Sequence, residues 1–219
     1  NNKLIKKIIS NRLGYVQSPS SGYVVKLLNP SNKDRIIDAC ASPGGKTLYI
    51  SSLVNNKNKV VAYEIDTTRF NQLNDNISNY KVKNIQSLND NFFNCKLVNI
   101  NKILLDVPCS GTGVINRKPD IKLRRKRNDI SKFSFYQLKL LNYAAKLLKK
   151  DGTIVYSTCS ILNEENWDVI NAFLINNNFN IVHANNYILN KFTDKYGAMR
   201  ILPNKHKLDG MFAVRLEKN

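Results

Sequence analysis

Apolar residues in this chain recur as short, nearly continuous runs at 35–39, 59–64, 85–88, 102–106, 153–158, 179–184 and 210–216. Runs of that length, bounded by turn residues, predict strands buried on both faces. The segments between them follow a helical period instead. Residues 67–79 place Phe70, Leu73 and Ile77 on one face, and 134–148 do the same with Phe135, Leu138, Leu141, Ala145 and Leu148. A helix is also predicted over 46–54. Another runs to Leu28, capped by Ser20 or Ser21 and stopped by Asn29-Pro30. A third runs from a capping Asn163 to about 175, with Glu164 and Glu165 in its first turn. Asp151-Gly152 reads as a turn, and 108–130 as a loop. Alternating strands and helices predict an α/β, Rossmann-like fold, a mostly parallel sheet covered on both faces. We expect residues 1–30 to be a lead-in, starting with a basic amphipathic segment over 1–10, and 31–219 to be one catalytic domain.

In such sheets ligands bind at the carboxyl ends of the strands, and the unusual residues of this chain gather there. The first strand runs into Asp38-Ala39-Cys40-Ala41-Ser42-Pro43-Gly44-Gly45-Lys46-Thr47. Its two glycines allow positive φ and a close backbone approach, and the helix behind them offers unpaired N–H groups. The spacing is neither that of a P-loop nor that of a three-glycine dinucleotide turn. The turn therefore suits a nucleotide-like cofactor of another kind, with Cys40, Ala41, Ser42, Pro43, Gly44, Gly45 and Lys46 as its contacts. Glu64 closes the second strand, placed for the hydroxyls of a ribose. Asp90, after the third, is a candidate for an adenine amino group. Asp106 closes the fourth and opens Asp106-Val107-Pro108-Cys109-Ser110-Gly111-Thr112-Gly113. Thr158-Cys159 closes the fifth. Two cysteines on neighbouring strand ends favour nucleophilic catalysis by a thiolate over two packed thiols.

Charge adds a partner to this picture. The 219 residues carry 34 basic and 16 acidic side chains, a net +18. That excess points to a polyanion, nucleic acid ahead of an anionic membrane. Arg117, Lys118, Lys122, Arg124, Arg125, Lys126 and Arg127 begin just after the Pro-Cys loop, which favours phosphate contact. Tyr136, Trp167 and His206 are aromatic candidates for base stacking, although Trp167 fits a core better. The cysteines at 40, 95, 109 and 159 have no metal-ligand spacing, so neither a metal site nor a disulfide framework is expected. No apolar run is long enough for a membrane span and no signal-peptide pattern opens the chain, so a cytoplasmic protein is expected. The missing initial methionine suggests a piece of something longer. Self-repulsion of the basic surface favours a monomer.

The glycine turn, the Asp106–Gly113 run and Tyr156-Ser157-Thr158-Cys159-Ser160 followed by Glu164-Glu165-Asn166 resemble the motifs of the Nol/Nop/Sun RNA cytosine-5 methyltransferases. Arg117-Lys118-Pro119-Asp120-Ile121-Lys122 and the closing Leu202-Pro203 and Asp209-Gly210-Met211-Phe212 are similar as well. The likeness covers nearly the whole chain in the family's order. It is strongest to the bacterial Sun-type branch acting on small-subunit ribosomal RNA, with transfer RNA as the alternative substrate. The resemblance implies S-adenosylmethionine as cofactor and a seven-stranded sheet whose last strand is antiparallel. It also implies cofactor contacts from Cys40 to Lys46 and at Glu64, Asp90 and Asp106. By the same resemblance Cys159 is the nucleophile and Cys109 assists product release. Asp106 is a further candidate for supporting charge on the cytosine ring. The chain departs from the family at Gln17-Ser18, Ser42 and Val107, and in lacking the helical RNA-binding domain that usually precedes this one. A DNA cytosine-5 methyltransferase working through Cys109 is disfavoured by the Thr-Cys pair. A silent RNA-binding scaffold is disfavoured by the retention of both cysteines and the strand-end acids.

Overall fold

The computed structural model describes residues 2–54 and 60–219. In order come α1 (Asn2–Ser10), α2 (Pro19–Leu28), β1 (Ile36–Asp38), α3 (Gly45–Leu53), β2 (Val60–Tyr63), α4 (Thr67–Asn79), β3 (Ile85–Leu88) and β4 (Ile100–Asp106). They are followed by α5 (Ile121–Arg124), α6 (Arg127–Leu147), β5 (Leu148–Thr158), α7 (Trp167–Asn176), β6 (Phe179–Val182), β7 (Met199–Ile201), α8 (Pro203–His206) and β8 (Met211–Lys218). Asn1 of the expected lead-in and Lys59 of the expected second strand lie outside the described residues.

The strands form one sheet in the order β3-β2-β1-β4-β5-β8-β6, and β7 pairs with β8 outside that row. The sheet thus has eight strands rather than seven. The extra one, β7, was not expected, because three residues are too few to show a period. β1 to β5 pair in parallel, while β8 runs antiparallel to β5, β6 and β7. The connection from β3 to β4 crosses back past β2 and β1, so the chain order reverses between β1 and β4. Such a reversal opens a crevice at the strand ends.

Period-two alternation sorts the apolar runs onto two faces. Ile37, Ile103, Leu105, Ile154 and Tyr156 pack against α6 and α7. Ile36, Leu104 and Val155 pack against α2 and α3. Leu73 of α4 meets Ala41 and Ala62. Ile103, Leu104 and Leu105 are all fully buried, which is why the central strand reads as an unbroken apolar run. Among the described residues, no helix is long and apolar enough to cross a membrane.

Several boundaries differ from expectation for identifiable reasons. Ser18, not Ser20 or Ser21, precedes the first turn of α2, with Pro19 at the first helical position, where a missing N–H costs nothing. Ser20 instead donates through Oγ to the carbonyl of Asp209. Helix α6 starts at Arg127, seven residues before the expected start of 134, because the Asp129 carboxylate accepts from the Lys126 N–H. Residues 163–165 form a 3-10 turn, and α7 begins only at Trp167. Asp151 adopts positive φ within β5 and does not end it.

Candidate active site

The glycine turn leaves β1 at Asp38 and enters α3 at Gly45. Gly44 has φ 104°, a conformation that disfavours a side chain, and a Cβ there would also lie 2.8 Å from Leu73. Helix α4 holds the turn from outside. Ser42 Oγ donates to the Arg69 carbonyl at 2.7 Å, Arg69 donates back to the Ser42 carbonyl at 3.0 Å, and Asn76 donates to the Pro43 carbonyl at 2.7 Å.

Asp38 is buried at the base of the turn. Its Oδ2 accepts from Thr47 at 2.7 Å, whereas its Oδ1 has no protein partner. Burial raises its pKa from 3.8 to about 6, against the hydrogen bond from Thr47, and Asp106 adds to the rise. An unpaired buried acceptor on a ligand cavity is a place for a donor supplied from outside the chain. Lys46 follows the glycines and reaches Asp106 Oδ2 at 2.6 Å. Burial opposes its charge, but Asp106 prevails and holds its pKa above the ordinary value. The other Asp106 oxygen accepts from Ser157 on β5 at 2.8 Å.

The two strand-end cysteines meet directly: Cys109 Sγ and Cys159 Sγ lie 3.2 Å apart. The pair is asymmetric. The hydrogen bond from Cys109 lowers the Cys159 pKa, and Lys46 assists, against burial and Asp106. Cys109 is pushed well above its ordinary value by that same bond and by burial. Cys159 is therefore the sulfur favoured as thiolate, and Cys109 the thiol that donates to it. Cys40 is different, because burial, followed by the charges of Asp38, Asp106 and Glu64, raises its pKa and keeps it a neutral thiol.

A cavity of about 400 Å3 is lined by Asp38, Lys46, Asp106 and Cys159, with Tyr15 and Gln17 also on its wall. Cys40 lines it and also a second, smaller cavity of about 140 Å3 walled by Glu64, Asp90, Phe92 and Tyr136. The carboxylate of Glu64 is buried there, accepts from the Asp66 N–H at 3.1 Å and lies 3.5 Å from Arg69. Asp90 is exposed, and one of its oxygens is already engaged by the Asn91 N–H and the Asn94 amide, each at 2.7 Å. Acids at one end, apolar and aromatic walls in the middle and an unpaired carboxylate at the other fit a long amphipathic cofactor such as S-adenosylmethionine. A wider cleft of about 600 Å3 lies between Arg35 and Lys96 but contains none of these acids or the thiol pair.

The basic run does not act as one surface. Lys122 and Arg124 are exposed, Arg124 beside Asp120 at 3.2 Å. Lys118 and Arg117 line the main cavity, and Arg117 is tied to Asp209 at 2.6 Å. Arg125 is exposed as well but is tied to the thiol loop, donating through Nε to the Ser110 carbonyl at 3.2 Å and lying over the Phe133 ring. Of the stacking candidates, Tyr136 lines the smaller cavity. Trp167 packs on the core and donates to Asp194, and His206 accepts from the Leu202 N–H.

Two residues beside the thiols were given no role in the sequence analysis. Glu165 was assigned to a helix start and Gln137 was not singled out, yet both are fully buried. Glu165 accepts from the Ser110 N–H, the Ser110 hydroxyl and Gln137. Gln137 also donates to the Pro108 carbonyl at 2.9 Å. The only available sequence signal was the acid pair that follows the Thr-Cys strand.

Comparison with known proteins bears on the whole of this arrangement. The family described as 16S rRNA methyltransferase RsmB/F matches residues 25–217. Ribosomal RNA small subunit methyltransferase B of Photorhabdus laumondii is 36% identical over 206 residues, which are 93% of this chain and 46% of that protein. The protein of the same name from Klebsiella pneumoniae strain 342 is 38% identical, with 93% and 46% covered. The chain thus spans about half the length of the curated relatives it matches. Among solved structures, NSun6 from Pyrococcus horikoshii, crystallised with SFG, superposes with a TM-score of 0.84 at 30% identity, covering 93% of this chain and 53% of that one. A methyltransferase homologue from the same organism superposes with a TM-score of 0.79 at 30% identity, covering 94% and 68%.

Proposed function

Because the chain belongs to the RsmB/F family of 16S rRNA methyltransferases, we propose that it methylates carbon 5 of a cytosine in RNA through a covalent adduct on Cys159. The observation that carries this reading is the unequal thiol pair at 3.2 Å, of which Cys159 lines one cavity with the Lys46–Asp106 pair. S-adenosylmethionine is the cofactor, and when bound it supplies an electrophilic methyl group. Asp38, the 40–46 turn and Glu64 are the residues placed to hold it, with Asp90 and Asp106 at its flanks.

Carbon 5 of cytosine is a weak nucleophile until a thiolate adds at carbon 6. Addition forms the bond from Cys159 Sγ to carbon 6 and moves the ring's double-bond electrons toward carbon 5. Lys46, held by Asp106, favours the negative charge that develops. Once carbon 5 carries the methyl group, Cys159 is a neutral thioether and no longer accepts the Cys109 proton. The main cause of the raised Cys109 pKa is then gone. Cys109 loses its proton to water and takes the remaining proton from carbon 5. The C–H electrons restore the ring double bond, the bond from carbon 6 to sulfur breaks, and Cys159 leaves as thiolate. Cys109 ends as the thiol, the state from which the pair began.

The substrate we propose is ribosomal RNA of the small subunit, unpaired or flipped at the target because a paired cytosine cannot reach the cavity. Transfer RNA is the second choice. The test uses wild type, Cys159→Ala and Cys109→Ala with labelled cofactor and RNA on denaturing gels. Cys109→Ala should retain a protein–RNA adduct, and Cys159→Ala should give neither adduct nor 5-methylcytosine. Adduct formed by Cys159→Ala would reverse the two roles.

A further inference from the structure

Glu165 is the most deeply buried acid beside the thiols, and among the described residues it forms no ion pair. An isolated buried charge is unfavourable unless hydrogen bonds to the charged form hold it. All of those bonds lead to one place. Glu165 Oε1 accepts from the Ser110 N–H at 2.8 Å and from Gln137 Nε2 at 3.1 Å, and its Oε2 accepts from the Ser110 hydroxyl. Gln137 Nε2 donates onward to the Pro108 carbonyl at 2.9 Å. Tyr156 fixes both partners from β5, its hydroxyl lying 2.6 Å from the Glu165 carbonyl and 3.1 Å from Gln137 Oε1. Pro108 and Ser110 are the two neighbours of Cys109, so the main chain is gripped on each side of that residue. Neither Glu165 nor Gln137 lines the cavity that contains Cys159.

We propose that Gln137 and Glu165 are positioning residues that clamp the backbone on both sides of Cys109, so that its thiol stays on the Cys159 sulfur and, after methyl transfer, at the adduct. The inference rests on the reading of Cys159 as nucleophile and Cys109 as release group, and it assigns the parts of the fold that enforce that division. Apolar packing would cover the same volume at lower desolvation cost. A buried carboxylate and amide at this point instead fix the direction of one peptide segment. The clamp also explains why Cys109 can be held while Cys159 remains open to substrate. Its polar groups all grip the Cys109 loop, and none of them engages the sulfur of Cys159.

Two readouts test it on the full chain. The first needs no RNA: the pH dependence of Cys159 alkylation by iodoacetamide, followed by peptide mass spectrometry. The groups facing Cys159 are Cys109, Asp106, Lys46 and Glu165, with Arg117, Lys118 and Asp209 on the cavity wall. Gln137→Met changes no charge among them. It should move the alkylation midpoint upward by about one pH unit, toward that of Cys109→Ala. Tyr156→Phe, which leaves the clamp residues in place but unfastened, should move it part of the way and guards against a misfolded Gln137 variant. An unchanged midpoint in both folded variants overturns the clamp, whatever the enzyme does to RNA. The second readout is the partition of turnover. Measured above the raised alkylation midpoint, where Cys159 is a thiolate in both proteins, Gln137→Met should keep first-turnover methylation near wild type while adduct accumulates about tenfold and steady-state product falls about tenfold. Parallel loss of adduct and product, in proportion to the folded fraction, also overturns it. If even Cys109→Ala traps no adduct, the cytosine-5 reading fails instead, and the alkylation midpoint still decides the clamp.

Discussion

The ammonium of Lys46, at the start of α3, lies 2.6 Å from the Asp106 carboxylate at the end of β4. The pair joins the glycine turn to the strand that carries the Pro-Cys loop, and it sets a positive charge near Cys159. Lys46→Met should lower stability by about 1–2 kcal/mol, allowing for water at the partly exposed Asp106. It should also raise the pH at which Cys159 becomes reactive. Urea unfolding and thiol titration measure the two effects. A variant as stable as wild type, with an unmoved titration, would remove Lys46 from both roles.

Asp38 gives the stability of the fold an unusual pH dependence. Its folded pKa, about 6, stands above its ordinary 3.8. Below pH ~4 folded and unfolded chains both carry its proton, so it makes no difference. As pH rises through 6, the folded chain must bear a buried charge that the unfolded chain carries freely, and stability falls by about 3 kcal/mol. Asp38→Asn removes that loss. Relative to wild type the variant should therefore gain about 3 kcal/mol between pH 4 and pH 7 in urea melts. Parallel stability curves for the two proteins would contradict the burial argument. The same variant should bind S-adenosylmethionine more weakly at pH 7, because the unpaired acceptor has lost its charge.

Gly113 joins the two cysteine loops through main-chain contacts. Its N–H donates to the Cys159 carbonyl at 2.8 Å, and its own carbonyl accepts from the Gly210 N–H at 2.8 Å. A Cβ on Gly113 would sit 2.8 Å from the carbonyl oxygens of both Cys159 and Gly210. Backbone cannot swing aside as a side chain can, so Gly113→Ala should cost about 1–3 kcal/mol. Thermal unfolding reports the loss, and alkylation should find the two thiols no longer unequal. A variant of wild-type stability would mean that the loops move apart more easily than this packing implies.

The basic residues should separate into two kinds of variant. Lys122→Ala and Arg124→Ala remove exposed charges, so each should reduce the salt dependence of RNA binding by about one unit of slope while leaving kcat unchanged. Arg125→Ala breaks the bond to the Ser110 carbonyl. It should reduce kcat and leave the salt slope close to wild type. Filter binding across a salt series, with steady-state kinetics, distinguishes them. A full unit of slope lost in Arg125→Ala would return that residue to the RNA surface.

The strand ends were legible because a buried parallel strand needs an unbroken apolar run, and the first polar residue after it marks where the run meets the crevice. Asp38, Glu64 and Asp106 all stand at such points. Gln137 and Glu165 were hidden by the same logic. The expected apolar face of α6 ran through Phe135, Leu138, Leu141, Ala145 and Leu148; Leu141, Ala145 and Leu148 are buried, but Phe135 is largely exposed, and the buried face also carries Gln137, Leu140 and Ala144. The two stripes share Leu141 and Ala145 and differ by a small rotation, and only the observed one requires a polar residue in the core. Hydrophobicity misplaces the edge of a face whenever a buried amide has partners supplied by distant segments, here Pro108 and Glu165. Glu165 was hidden because an acid after a loop ordinarily marks a helix start, whereas here the chain makes a 3-10 turn that points it inward.

Strand β8 follows every other described element in chain order, yet it lies between β5 and β6. Gly210, immediately before it, closes on Gly113 and through it on Cys159. The thiol pair is thus fixed only when this late segment has inserted between β5 and the edge strand β6. A growing polypeptide can complete β1 to β5, with every strand-end acid and both cysteines already made, and still lack the neighbour that holds the two loops together. The closure of the two cysteine loops on each other is therefore among the last contacts that this order of elements can complete.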